Sequence, residues 1–200
     1  MKKIIIVIIF ALLFIAAGFS DTVFDEYDES LGGQFSSISG VGLSYQRWFG
    51  KIGLQVGAGG FYAVETPGYT DFSSSPDPAT LNLLDYNVGI GVQYMLFEDS
   101  FSDWFDACLY IVGGLVHFGY VENRYTYSDV ANSTNHYDFI SKTTRYIPGL
   151  GTGFGIGFEF VFIDHISIPI EIALNGAWTT ESWVPEDAGI KVHSGFRYRY

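Results

Sequence analysis

The sequence is poor in cysteine, histidine and cationic residues, and each shortage excludes a class of protein. Cys108 is the only cysteine among 200 residues, so no intrachain disulfide can form. The 10 Lys and Arg are outnumbered by 22 Asp and Glu, which leaves a formal net charge of −12. Because contacts with phosphate need Lys and Arg, we expect no nucleic-acid partner. The four histidines lie too far apart along the chain for a metal-binding spacing, so we expect no metal site.

The longest apolar run lies at the N-terminus, and it is short for a membrane-spanning helix. Lys2 and Lys3 precede an apolar stretch over 4–17, and small residues lead up to Asp21. This order is typical of a secretory signal peptide, which we predict over 1–20, with an uncleaved N-terminal anchor as the alternative. No cysteine follows the apolar run, which argues against a lipid-anchored protein. Removal of both lysines would change the formal net charge from −12 to −14.

The glycine-rich stretch GLGTGFGIGFEF, residues 149–160, could be either a phosphate-binding loop or a strand. A dinucleotide fingerprint needs glycines at i, i+2 and i+5, but Phe154 stands five residues after Gly149. The glycines recur instead at every second position, with bulky residues between most of them. Period two is the strand period, so the glycines face one side and the bulky residues the other. We expect no nucleotide and no other cofactor.

Seven segments of the chain alternate bulky apolar residues with small or polar ones, as strands do. They cover residues 39–48, 52–62, 85–97, 105–121, 149–160, 165–175 and 189–200. In the fourth segment the alternation changes phase near Gly113 and Gly114, which predicts a glycine bulge.

The connections between these segments are of two kinds that alternate along the chain. Short ones lie at 49–51, 98–104 and 161–164, and long polar ones lie at 65–83, 122–145 and 178–188. Strict alternation of short and long connections predicts an all-β, antiparallel up-and-down barrel with short turns at one end.

The bulky apolar face of this barrel is expected to point outward into lipid. An eight-stranded barrel has little interior room, so Phe, Ile and Tyr from every strand would overfill it, whereas Gly, Gln, Asn and Ser would fit. A soluble lipocalin-like barrel, with its apolar face inside, is the alternative. We therefore predict a transmembrane β-barrel of about eight strands with an aromatic girdle at the short-turn end. The predicted girdle comprises Tyr45, Trp48, Tyr94, Phe97, Trp104, Phe105 and Tyr200.

The C-terminal segment, IKVHSGFRYRY, ends on an aromatic residue and has apolar side chains at alternate positions, apart from Ser194. In this feature, and over residues 35–200 as a whole, the chain resembles the small eight-stranded outer-membrane β-barrel family of bacteria. In that family the barrel assembly machinery reads the last strand, which implies this role for Phe196, Tyr198 and Tyr200. The resemblance also implies localisation in the cell outer membrane, with outer-membrane lipid around the barrel.

One strand is missing from this count, because bacterial barrels of this class have an even number of strands. It should lie in the acidic N-terminal segment 21–34, DTVFDEYDESLGGQ, whose acidic residues fall on both faces. We expect a short, irregular first strand there that pairs with the last strand, with Gly32 and Gly33 in the turn. The alternative is that segment 21–34 threads the lumen as a plug.

Charged residues on the inward face gather in the last three segments. They are Glu159, Glu171, Lys191, His193, Arg197 and Arg199. Opposite charges in a narrow lumen should pair, since leaving one buried and unpaired costs several kcal/mol. We expect a salt-bridge network that fills the lumen; an ion pathway or gate formed by the same residues is the alternative.

Signals for catalysis are weak. His193 and Ser194 are adjacent, so they point to opposite faces of a regular strand and cannot hydrogen-bond. Carboxylates in the predicted loops could serve a hydrolase, namely Glu65, Asp71, Asp77, Glu181, Glu186 and Asp187. We expect no catalytic residues and a structural or surface-interaction role with an occluded lumen. A small pore or channel and a membrane-embedded hydrolase are the alternatives.

The aromatic residues of connection 122–145 could bind a surface partner or belong to a hairpin that continues beyond the barrel.

Overall fold

A computed structural model of the protein describes residues 24, 26–63, 79–129, 137–180, 185 and 188–200, and most of them lie in eight strands. The strands are β1 (Glu29–Ser36), β2 (Gly40–Phe49), β3 (Ile52–Tyr62), β4 (Ala79–Ser102), β5 (Phe105–Asp129), β6 (Tyr137–Phe162), β7 (Ile166–Thr179) and β8 (Gly189–Arg199). The predicted signal peptide at 1–20 lies outside the described residues. Within the described residues, no helix is long and apolar enough to cross a bilayer.

The eight strands form one closed antiparallel barrel. Each strand pairs with its neighbours in the sequence, and β1 pairs with β8 from Ser30 opposite Arg199 to Phe35 opposite Ser194. The prediction of an all-β, up-and-down barrel of about eight strands is confirmed. The connections β2–β3, β4–β5 and β6–β7 are short and lie together at what we call the turn end. The opposite end, which carries the connections β3–β4, β5–β6 and β7–β8, is called the loop end.

The first strand lies further along the chain than the sequence predicts. β1 begins at Glu29 and contains Gly32 and Gly33, whereas the turn spans residues 37–39. A Cβ on Gly32 would stand 2.0 Å from the carbonyl oxygen of Phe196, so glycine is required there for β1 to approach β8. The prediction that these glycines form the turn is therefore wrong. The predicted pairing of the first strand with the last strand is observed.

β5 has no bulge at Gly113 and Gly114, so that prediction is also wrong. Both glycines pair with β4 in an unbroken register. The even-numbered side of β5 therefore faces the lumen on both sides of the glycines: Val112 and Val116 are buried, whereas Leu115 is exposed. The kinds of residue on the two faces of β5 change at the glycines, but the side chains continue to alternate between lumen and exterior without a shift.

β4, β5 and β6 are 24, 25 and 26 residues long and project beyond the barrel at the loop end. The predicted connections 65–83 and 122–145 are therefore partly strand, and β5 and β6 stay paired as far as Asp129 opposite Tyr137. Strands that continue beyond the barrel no longer separate a lumen from an exterior, which removes the cause of a period-two apolar pattern. Connection 122–145 is thus in part a hairpin that continues beyond the barrel, which was one of its two predicted alternatives.

The β6–β7 turn holds two residues other than glycine in the left-handed region. Ile163 has a φ of 52° and Asp164 a φ of 62°. Two successive positive φ angles match the primed hairpin turns, which favour Asn-Gly. Ile163 is the more strained of the two, because a β-branched side chain disfavours this region.

Candidate functional site

A belt of exposed apolar side chains surrounds the barrel. On β4, Val88, Ile90 and Val92 are each about half exposed, and the residues between them are buried. Every strand contributes to the belt, which includes Leu31, Leu43, Val56, Ile90, Ile111, Phe154, Ile172 and Val192. Monomeric soluble proteins rarely expose contiguous apolar patches above a few hundred Å². The structure thus places the bulky apolar face outside, as the sequence predicts.

Aromatic residues border the belt at the turn end. The exposed ones include Phe97, Phe101 and Trp104. The prediction that Trp48 belongs to this girdle is wrong, because Trp48 is only 2% exposed and points into the lumen. It lies on the same face of β2 as the buried Gln46, so the parity of the strand sends both side chains inward.

Polar aromatic residues border the belt at the loop end. The Nδ1 of His117 donates to the carbonyl oxygen of Gly149 at 3.0 Å, and the Tyr86 hydroxyl lies 3.1 Å from Nε2 of His117. The Tyr86 hydroxyl also bonds that of Tyr146. His117 lies twelve residues from Phe105 on β5. At about 3.3 Å per residue and a strand tilt of about 40°, the two borders are about 30 Å apart.

The lumen is filled with buried polar side chains, and Glu159 lies toward its turn end. This carboxylate accepts hydrogen bonds from the Ser167 hydroxyl and, at 3.2 Å, from Nε2 of Gln46. Nη1 of Arg199 stands 4.0 Å from Oε1 of Glu159, and Nε of Arg199 donates to the carbonyl oxygen of Tyr27 at 3.2 Å. The structure therefore brings these two predicted charges together.

Glu171 forms the second charged centre of the lumen. It accepts hydrogen bonds from the Tyr110 hydroxyl at 3.0 Å and from Nε2 of Gln93 at 3.4 Å. Nδ1 of His193 lies 3.7 Å from Oε2 of Glu171. Nε2 of Gln46 donates to Oε1 of Gln93 at 2.7 Å, so amide side chains connect the two carboxylates in one hydrogen-bonded network.

The remaining predicted charges differ in position. Nε of Arg197 donates to the Ser44 hydroxyl and Nη2 donates to Oε1 of Gln34, both at 3.0 Å. Lys191, by contrast, is only partly buried and lies nearer the loop end of β8. The predicted network contains charged residues only, whereas four buried glutamines on the inward faces of their strands also belong to it: Gln34, Gln46, Gln55 and Gln93.

The β1–β2 turn folds into the lumen. Ile38, at its centre, is 0% exposed. Nε2 of Gln34 donates to the carbonyl oxygens of Ser39 at 3.1 Å and Gly40 at 2.9 Å, and Nε2 of Gln55 donates to the Ser39 hydroxyl at 2.8 Å. The turn is therefore fixed inside the barrel by the same amide side chains that fill the lumen below it.

Glycines on the facing strands make room for this turn. A Cβ on Gly57 would lie 2.3 Å from the carbonyl oxygen of Ser39, and one on Gly89 would lie 2.4 Å from its carbonyl carbon. A Cβ on Gly114 would lie 2.7 Å from the carbonyl oxygen of Ile38. Because the space is occupied by backbone atoms, any side chain at these positions would displace the turn. Close approach of the turn thus explains part of the inward glycine face.

Phe24 occupies the lumen at the turn end. Its buried ring lies 5.6 Å from the Trp48 ring and 4.0 Å from the guanidinium carbon of Arg199. Trp48 in turn lies 6.0 Å from the ring of Tyr110. Segment 21–34 therefore contributes both to the first strand and to the filling of the lumen, which combines the two alternatives drawn from the sequence.

The fold also brings together a serine, a histidine and a carboxylate. The Ser37 hydroxyl lies 2.7 Å from Nε2 of His193, whose Nδ1 faces Glu171. Nδ2 of Asn175 donates to the Ser37 hydroxyl. The sequence places His193 in the lumen charge network and, as a catalytic candidate, only beside Ser194, which is exposed on the opposite face. Ser37 was missed because the first turn is predicted earlier in the chain.

Other candidate groups are not assembled in this way. Among the described residues, no three His, Cys, Asp or Glu side chains are placed to hold a metal ion. The loop carboxylates considered for a hydrolase lie outside the described residues; they are Glu65, Asp71, Asp77, Glu181, Glu186 and Asp187.

Comparison with known proteins shows similarity in fold alone. No protein-family model matches the chain, and no curated protein matches it in sequence. A major outer membrane protein from Thermus thermophilus superimposes with a TM-score of 0.50 and 11% identity, covering 86% of this chain and 98% of its own. The N-terminal β-barrel domain of Pseudomonas aeruginosa OprF gives a TM-score of 0.43 and 11% identity, covering 86% of this chain and 95% of its own. The architecture of this chain is thus that of the Thermus barrel.

Proposed function

We propose that the protein is an outer-membrane protein whose apolar belt is embedded in lipid and whose lumen is occluded. Its role in this proposal is structural or one of surface interaction at the loop end. The belt is the observation that carries the proposal. A closed barrel satisfies its backbone donors and acceptors internally, so an apolar exterior of this kind is stable in hydrocarbon and unfavourable in water.

The height of the belt supports embedding in a bilayer. The two aromatic borders are about 30 Å apart, which is close to the thickness of a bilayer hydrocarbon core. The hydroxyl and imidazole groups of Tyr86, His117 and Tyr146 would then lie at the lipid headgroup level, where amphipathic rings are favoured. The Thermus barrel, which has the same fold, is described as an outer membrane protein.

Three features support an occluded lumen. The β1–β2 turn occupies its middle, buried side chains from Gln34 to Arg199 fill it below the turn, and Phe24 packs at its turn end. An open water-filled pore needs a wider barrel than eight strands provide. The proposal therefore favours a closed barrel over a small pore.

We further propose that the C-terminal strand is the assembly signal. Phe196 and Tyr198 on the outer face of β8, and Tyr200 directly after the strand, are each more than half exposed. In this position they are accessible to an assembly factor at the membrane surface before they contact lipid. Barrel assembly machinery and outer-membrane lipid are thus the partners in this proposal.

The proposal is tested by gel mobility of the folded protein in detergent micelles, with and without boiling, followed by single-channel recording in planar bilayers. We expect a heat-dependent shift, because a lipid-compatible barrel resists unfolding by detergent until heated. We also expect no steady conductance. A protein that folds in plain buffer and shows no shift would contradict embedding, and a stable conductance would contradict occlusion.

A further inference from the structure

β5 places apolar side chains inside the lumen at the loop end, where the inner faces of the other strands are mostly small or polar. Val116 is 5% exposed, and Phe118 and Tyr120 follow on the same inward face. Together with Gly151 and Ala177 they line a chamber of about 310 Å³ beside the β1–β2 turn. This volume lies at the lower end of the range of small-molecule sites, which combine apolar walls with a few polar groups.

The polar side of this chamber carries the serine, and the histidine lies behind it, outside the chamber lining. Ser37 and Asn175 line the chamber, and the Ser37 hydroxyl is 2.7 Å from Nε2 of His193. Nε2 at this distance can take the hydroxyl proton. The carboxylate of Glu171 faces the other ring nitrogen, with Oε2 3.7 Å from Nδ1 of His193, where it can orient the imidazole. Nucleophile, base and orienting group thus stand in the order that nucleophilic catalysis requires.

Asn175 adds a hydrogen-bond donor beside the nucleophile. Its Nδ2 already donates to the Ser37 hydroxyl, and its buried Oδ1 has no hydrogen-bond partner within the part of the chain that the structure describes. A side-chain amide in this position can donate to an oxygen that becomes negative when the nucleophile attacks a carbonyl group.

We propose that Ser37, His193 and Glu171 form an acyl-transfer site that hydrolyses small uncharged esters entering from the loop end. His193 Nε2 takes the Ser37 proton as Oγ bonds to the ester carbonyl carbon, and the carbonyl oxygen takes up negative charge beside Asn175. The carbon–oxygen bond to the alcohol then breaks, and the alcohol leaves with the proton from His193.

Water completes the cycle. It gives a proton to Nε2 of His193 and bonds to the acyl carbon, and the bond between that carbon and Ser37 Oγ breaks. The carboxylic acid is released, and Ser37 recovers its proton from His193. One ester and one water are consumed, and one alcohol and one acid are formed.

The chamber limits the substrate class. Its 310 Å³ corresponds to the liquid volume of about ten water molecules, so an ester of about ten heavy atoms fits. Phe118 and Tyr120 favour an aromatic or branched apolar group. Phenyl acetate has these properties. This activity does not depend on the membrane that holds the barrel, so its failure and the failure of the outer-membrane proposal are separate results.

The first test uses the unaltered protein, folded in detergent micelles. Phenylmethanesulfonyl fluoride would form a sulfonyl ester with a serine activated by histidine, with release of fluoride, and mass spectrometry of the digested protein locates the modified residue. We expect modification of Ser37 in the folded protein and none after the protein has been boiled. Absence of modification at Ser37 in the folded protein would overturn the proposal without any need for a variant.

The second test measures kcat/KM for phenyl acetate. We expect a loss of at least a hundredfold in Ser37→Ala and His193→Gln, with Ser194→Ala, on the outer face, as the matched control. Glu171→Gln is expected to lower the rate less and to shift its pH profile, which a purely structural role would not do. Wild-type rates in folded Ser37→Ala would overturn the proposal.

A substitution that fills the chamber provides an independent test of the proposal. A Cβ on Gly151 would meet nothing closer than the Ser37 carbonyl oxygen at 3.7 Å, so Gly151→Leu occupies the chamber without a backbone clash. Gly113→Leu puts the same side chain on the outer face, where the nearest atom is also 3.7 Å away, and is the control. We expect loss of activity only in Gly151→Leu. Equal activity in both variants would place hydrolysis outside the chamber and contradict the proposal.

Discussion

The substitution Gly89→Ala tests whether the β1–β2 turn closes the lumen. The added Cβ would stand 2.4 Å from the carbonyl carbon of Ser39 and 2.7 Å from the amide nitrogen of Gly40. Neither atom can move unless the turn moves. The matched control is Gly113→Ala, whose Cβ would meet only the carbonyl oxygen of Gly153 at 3.7 Å. Both substitutions remove the same backbone freedom from the unfolded chain, so their difference isolates the clash.

The size of the effect depends on how far the turn moves. A small shift costs about 1–3 kcal/mol, as overpacking of a well-packed interior does. Expulsion of the turn also exposes Ile38, which costs about 2 kcal/mol. It further breaks the hydrogen bonds from Gln34 and Gln55 to the turn and the one between Ser37 and His193, each worth about 1 kcal/mol. We therefore expect Gly89→Ala to lower the free energy of unfolding by about 1–3 kcal/mol with the turn in place and by about 6 kcal/mol with the turn expelled.

Equilibrium unfolding by urea in phospholipid vesicles measures the loss of stability, and planar-bilayer recording detects opening. If the β1–β2 turn is expelled from the lumen, we expect a conductance in Gly89→Ala that Gly113→Ala lacks. Equal stability of the two variants, with neither conducting, would refute the reasoning that glycine at 89 is required by the turn.

Three further predictions concern other parts of the barrel. Ile163→Asn combined with Asp164→Gly should raise the unfolding free energy by about 1–2 kcal/mol, because both residues have positive φ; an unchanged urea midpoint would contradict the strain. Glu171→Gln should lower stability by about 1–3 kcal/mol without a new conductance, since a neutral amide accepts weaker hydrogen bonds from Tyr110 and Gln93 than a carboxylate does; a large conductance would indicate a gate. Deletion of Tyr200 should slow assembly in cells yet change the stability of the folded barrel by less than about 1 kcal/mol, as measured by pulse-chase gel mobility and by unfolding.

The parts of the fold that the sequence predicts are those where two different environments face the two sides of a strand. On β4, Val88 to Gln93 alternate between the exterior and the lumen, so period two is visible. Beyond the barrel, where β5 and β6 stay paired as far as Asp129 opposite Tyr137, the strands no longer separate a lumen from an exterior, and the pattern disappears. Strand length at the loop end was therefore hidden from the sequence.

Glycines caused two further errors, because one residue type serves several purposes. Gly32 and Gly113 are consistent with a turn or a bulge when only their neighbours in sequence are known. Gly32 is in fact required by the approach of β8, which is contributed by the far end of the chain. Tertiary approach of this kind has no local signal.

The residues of the lumen, too, could be predicted from the sequence only in part. Glu159, Glu171 and Arg197 follow from strand parity, since charges on an inward face must meet in a narrow lumen. Contact between Ser37 and His193 joins residues 156 positions apart and depends on a turn that folds inward. No spacing rule along the chain could have placed these two side chains together.

The most direct test of the central claim is the accessibility of spin labels at successive positions of β4 in lipid vesicles. Single cysteines at 88 and 90–93, in a background with Cys108→Ala, would be labelled and exposed to oxygen and to a water-soluble nickel complex. We predict period two, with high oxygen accessibility at Val88, Ile90 and Val92 and low accessibility to both reagents at Gly91 and Gln93. Nickel accessibility at the three apolar positions would contradict a barrel whose apolar face lies in lipid.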